Sequence, residues 1–153
     1  MKVLLFQREG ISLLRTLLES ETSRGAIRFY HPVEHAWGIE IPLTSLGSAL
    51  ALVSEFRWYI RRYVAFVLFR VDENQYCTHL LARQIYDERE EIPLPDWPFR
   101  KYYRIEGGKL VGGRSTRDER PGVLEVLCTE DEFNAVIEPL HEEIGEEDDS
   151  APE

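Results

Sequence analysis

Six side chains supply every imidazole and thiol in the sequence: His31, His35, Cys77, His79, Cys128 and His141. A zinc site needs about four donors converging at tetrahedral angles. Cys77 and His79 stand two residues apart, which on a strand would put both on one side and begin such a site. None of the spacings is that of a zinc finger or a metalloprotease helix, so no metal site is expected. Cys128 precedes a helix start, where the dipole favours a thiolate, but Glu130, Asp131 and Glu132 follow and oppose it. Both cysteines are expected to be reduced, buried thiols.

No phosphate loop, dinucleotide fingerprint, nucleophile elbow, HExxH helix, kinase set or EF-hand loop occurs. The 28 carboxylates are too many for any acid–base pair to stand out, so no catalytic residue is assigned and no cofactor is expected. Gly112 and Gly113 beside Arg114 and Arg117 have the composition of an anion site, although a turn and a loop account for the glycines without a ligand.

Binding chemistry is densest in Arg57-Trp58-Tyr59-Ile60-Arg61-Arg62-Tyr63, continued by Arg70. Arginine and tryptophan dominate binding hot spots, and an aromatic ring between guanidinium groups suits a phosphorylated ligand. At 100° per residue Leu46, Ala49, Leu50, Val53, Phe56, Ile60 and Tyr63 share one helix face, leaving Trp58, Arg61 and Arg62 beside or behind it. Trp58, Arg57, Arg61 and Arg62 are therefore candidate binding residues, with Trp58 as an exposed aromatic. The competing reading packs Trp58 beneath the acidic loop 87–98 and pairs the arginines with its carboxylates. Trp97, between Pro95 and Pro98, is a further candidate that either anchors a partner or plugs its own loop onto the domain.

Elements that position these residues follow from pattern. Residues 2–6 read as a strand and 11–21 as a helix ended by Ser23-Arg24-Gly25. Residues 26–30 and 37–41 read as two strands of a hairpin. A helix capped by Thr44 or Ser45 runs to about Arg62. The apolar run 64–71 reads as a central strand covered on both faces. Residues 76–86 read as its antiparallel partner, with a helical turn at 80–86 as the alternative. Gly107-Gly108 links two strands of a tight hairpin, and 112–122 is a polar loop. After a strand at 123–128, Thr129-Glu130-Asp131-Glu132 is a capping box.

A chain of 153 residues suits one core. The expected architecture is α+β: a mostly antiparallel sheet of five to eight strands with two or three helices packed chiefly on one face. Residues 1–145 form the single domain, and 146–153, with no hydrophobe larger than Ala151, form an acidic disordered tail. No apolar run spans a membrane and no signal peptide is recognisable, so a soluble cytoplasmic protein is expected.

The net charge of −10 is segregated: residues 1–71 carry 9 basic and 6 acidic side chains, and residues 72–153 carry 9 and 22. From Glu130 onward there are 11 acidic residues and no Lys or Arg. Such a chain repels nucleic acid and anionic lipid and attracts a protein with a basic surface. The expected function is that of a small acidic interaction protein of the inhibitor, immunity or adaptor kind, with nucleic-acid mimicry as one version. The alternative is an enzyme or ligand-binding domain that holds an anionic small molecule through clustered arginines.

Overall fold

The computed structural model describes residues 1–88 and 96–135. Chain order is β1 (Lys2–Gln7), α1 (Leu13–Glu19), α2 (Glu21–Phe29), β2 (Val33–His35), β3 (Gly38–Pro42), α3 (Leu46–Glu55), α4 (Arg57–Tyr63), β4 (Val64–Asp72), β5 (Gln75–Thr78), α5 (His79–Glu88), β6 (Arg100–Glu106), β7 (Lys109–Arg114), β8 (Val123–Leu127) and α6 (Glu130–Asn134). The strands form one eight-stranded sheet in the order β2-β3-β1-β4-β5-β8-β6-β7. Neighbours are antiparallel except β5 and β8, which run parallel.

The α+β class and the mostly antiparallel sheet match the expectation. Helical segments among the described residues number six, for three local reasons. Residues 26–30 are not a strand but the end of α2, which begins at Glu21 after a break at Ser20. Ser23 and Ile27, one helical turn apart, are its buried positions, and Ser23 Oγ donates to the Leu17 carbonyl at 2.6 Å, satisfying an orphan acceptor at the end of α1. Residues 33–35, not 26–30, pair with β3.

The long helix expected to end near Arg62 breaks at Phe56 into α3 and α4. Its start is as read: Ser45 accepts from the Ser48 N–H in a capping box. Residues 76–86 are only briefly strand, because Thr78 Oγ1 accepts from the Leu81 N–H and caps α5. His79, Leu81, Ala82 and Ile85 then form that helix's buried stripe.

One core lies between the sheet and α1 to α5. Val3, Leu5, Val67, Phe69, Cys77 and Leu127 meet Leu13, Leu17, Ile27, Leu52, Ile60 and Leu81 there. On the other face Leu4, Phe6, Trp37, Leu68, Tyr103 and Val126 are buried together without any helical residue. The sheet covers this face by rolling, as right-handed twist permits. The β6–β7 turn returns to the opposite end of the sheet: Lys109 pairs with Glu9 at 3.0 Å, and Gly108 lies against the backbone of Ala36. β4, with residues in both cores, is covered on both faces as expected.

The expected turn at Gly107-Gly108 is present, with Glu106 opposite Lys109 and positive φ at both glycines. Residues 112–114 belong to β7 and not to the loop. Thr129 opens α6 with the capping box read from sequence. The tail 146–153 and most of the proline-rich segment (89–95) lie outside the described residues. Among the described residues no helix is long and apolar enough to cross a membrane.

Candidate anion-binding groove

Strand alternation decides what each side of β6 carries. Tyr103 pairs with Leu124, and both face the rolled core. The intervening residues Arg100, Tyr102, Arg104 and Glu106 therefore point to the helix side of the sheet. The five core helices do not extend over this end, and polar side chains occupy it. Glu125, opposite Tyr102 on β8, is the hub. Its Oε1 accepts from Arg100 at 2.7 Å and Gln75 at 2.9 Å, and its Oε2 accepts from the Tyr102 hydroxyl at 3.0 Å.

Partial burial would raise the Glu125 pKa, but those hydrogen bonds and the Arg100 charge outweigh it and hold the carboxyl below its ordinary value. Burial and then Glu125 raise the Tyr102 hydroxyl, against the opposing charges of Arg100 and Arg117. Tyr102 is thus a neutral donor with a fixed ring.

Beyond Tyr102 the strand pair bulges, since Tyr103 opposes Gly112 while Tyr102 opposes Arg114. The extra residue, Gly113, turns Arg114 onto the same face as Tyr102. Gly112 has φ +110°, and a Cβ there would lie 2.9 Å from the Tyr102 carbonyl oxygen, so the position requires glycine. The chain after β7 then forms a wall. Together they enclose a groove of about 350 Å³ whose lining includes Tyr102, Arg104, Arg114, Arg117, Asp118 and Arg120.

Four arginines therefore line one space. Asp118 accepts from the Arg120 guanidinium at 2.7 to 3.1 Å and from its backbone N–H at 3.0 Å, and that pairing lowers the Asp118 pKa to about 2. Arg104 pairs with Glu106 at 3.2 Å and Arg117 with Glu119 at 3.1 Å. The Arg114 side chain makes no hydrogen bond or ion pair with a described residue, although its backbone pairs with Tyr102. Carboxylate pairing orients the guanidinium forks, and Arg114 supplies an uncommitted positive charge.

Residues 1–96 match a family described as a family of unknown function, DUF5804. The chain belongs to that family. Nothing matches among curated proteins or solved structures. Every residue that lines the groove lies after the DUF5804 match, on β6, β7 and the loop that follows β7.

The candidates from the second long helix sit elsewhere, on α4 over the helix-side core. Trp58 is half-buried there instead of exposed, packing edge-on against Tyr59 with ring centroids 5.0 Å apart. The Arg62 guanidinium lies 4.0 Å from its ring centroid, and the buried indole N–H has no acceptor among the described residues. Arg57 and Arg61 are half-buried on the same helix. The Arg61 carbonyl accepts from Arg8 at 3.0 Å, which ties the helix end to the turn after β1. Trp97 is half-buried against the same core and donates from Nε1 to the Cys128 carbonyl at 2.7 Å. It is thereby bound to its own domain, and neither tryptophan joins the groove.

Cys77 and Cys128 are both buried and free. Burial, and then the Glu132 charge, push the Cys77 thiol far up, so it stays protonated. His79 opens α5, so Cys77 and His79 do not share a strand face, and no three metal-ligating groups converge among the described residues. Sequence reading identified Arg114 and Arg117 but not Arg104 or Tyr102. The available signal was the alternation Arg100, Tyr102, Arg104, Glu106, in a strand whose neighbours were unknown.

Proposed function

We propose that the protein is an anion-binding domain whose groove on β6, β7 and the following loop holds a small anionic ligand. The observation that supports it is the convergence of Arg104, Arg114, Arg117 and Arg120 on one space of about 350 Å³, against two lining carboxylates, Glu106 and Asp118. That size lies at the lower end of ordinary small-ligand sites. Forked, pre-oriented guanidinium groups match phosphate and carboxylate oxygens.

Titration of the ¹⁵N-labelled full chain with pyrophosphate tests this reading. Amide shifts should concentrate in residues 102–120 and disappear in Arg114→Ala/Arg117→Ala. No perturbation there at about 10 mM, where even a complex worth ~3 kcal/mol is half formed, would overturn it.

A second reading concerns a protein partner with a basic surface. The described residues carry 17 basic and 18 acidic side chains, so almost all of the −10 resides in 89–95 and 136–153. Residues 136–153 contain eight carboxylates and no Lys or Arg, which favours binding that weakens steeply with salt. Capture of a basic protein by the full chain, lost on deletion of 136–153, supports this reading; capture that survives the deletion contradicts it.

A further inference from the structure

Resting on the anion-binding reading of the groove, we infer that its ligand is a nucleoside monophosphate or a molecule of that design: one phosphate joined through a hydroxyl-bearing spacer to a planar ring. A phosphate alone would use the guanidinium forks and leave the sheet side of the groove idle. On that side the lining includes Tyr102 and Val111, an aromatic and an apolar residue on adjacent strands. The Tyr102 hydroxyl donates to Glu125, which fixes the ring on the sheet surface, as a stacking platform requires.

The carboxylates narrow the class further. Glu106 and Asp118 line the groove with the arginines and would repel a ligand charged along its whole length. They suit a ligand with one anionic head whose remainder presents donors, as sugar hydroxyls and exocyclic amino groups do. A polymer is disfavoured as well, because residues 136–153, with eight carboxylates and no Lys or Arg, repel an extended phosphate backbone.

Calorimetric titration of the full chain with adenosine and uridine monophosphates, ribose 5-phosphate and inorganic phosphate provides the test. The nucleotides should bind at least about tenfold more tightly than ribose 5-phosphate, in the range that base–aromatic stacking supplies. Tyr102→Leu should remove that difference while ribose 5-phosphate binding persists, and Tyr102→Phe should keep it. In the unaltered chain, intermolecular NOEs should join base protons to the Tyr102 ring, and their absence at saturation overturns the inference whether or not the variants fold. Equal affinity for nucleotides and ribose 5-phosphate overturns the ring contact and leaves the anion reading standing. Binding by none of the ligands overturns both, and tighter binding of a mixed-sequence oligonucleotide than of any monophosphate overturns the small-ligand class.

Discussion

Along β3, β1 and β4, the helix-side positions Ile39, Val3, Leu5, Val67 and Phe69 are apolar and lie beneath α1 to α5. Along β8 and β6 the same face carries Glu125, Arg100, Tyr102 and Arg104, and among the described residues the loop after β7 lines the space beside them. One sheet thus has two regimes: where helices cover it, alternation builds a core, and where they stop, the same alternation displays a charged surface on a rigid frame. The frame and the site can therefore be perturbed separately.

The largest expected effect lies on the covered half. Phe69→Ala, fully buried beside His79, should cost ~3–5 kcal/mol in denaturant melts, and a loss under about 1 kcal/mol would show that the helical layer is not what stabilises the sheet. Trp58→Ala should follow at roughly 2–3 kcal/mol, since the ring is half-buried, and should leave pyrophosphate binding unchanged. A binding loss without a stability loss would instead restore α4 as the site.

On the bare half, Arg114→Ala should shift stability by less than about 0.5 kcal/mol, because the side chain has no described partner to leave unpaired. It should nevertheless weaken anion binding about tenfold, and a stability loss above about 1 kcal/mol would blur the separation of the two halves. Acid should act through Glu125 and through Glu40 on β3, where Lys2 at 2.8 Å and His35 at 3.3 Å outweigh partial burial; both carboxyls are held below their ordinary value of 4.5. Their stabilisation is complete above that value and is lost as the pH falls through the lower folded-state pKa. Melts from pH 7 to 3 should therefore decline only below about pH 4.5, less steeply in Glu125→Gln. The smallest effect should come from deleting 146–153, which has almost nothing to bury and should move the thermal midpoint by no more than a few degrees. A large drop would mean that this segment docks on the domain.

Local chemistry was legible where it was self-contained. The caps at Ser45 and Thr129, the Gly107-Gly108 turn and the apolar run of β4 each announce themselves within a few residues. α2 was hidden because only Ser23 and Ile27 are buried in it and because Gly25, a usual stop, lies exposed with nothing near its missing Cβ. α5 was legible only as the alternative to a strand because β5 passes into it with no glycine or proline between them. The groove was half-visible. Arg114 and Arg117 stood out beside glycines, but the weight of Arg104 and Tyr102 depends on where the helices end, a tertiary fact that one strand's sequence does not contain.

The parallel neighbour of β5 is β8, although β6 and β7 come between them in sequence. During synthesis, residues 1–96 leave the ribosome with the outer edge of β5 unpaired, a row of free N–H and C=O groups able to template another chain. That edge cannot be sealed until 123–127 have emerged, and the β6–β7 hairpin, made just before them, joins the rest of the sheet only through that strand. A nascent chain stalled near residue 96 would hold the entire family-matched segment and still be the form most exposed to aggregation. Emergence of β8, more than formation of the helical layer, is then the event that protects this molecule.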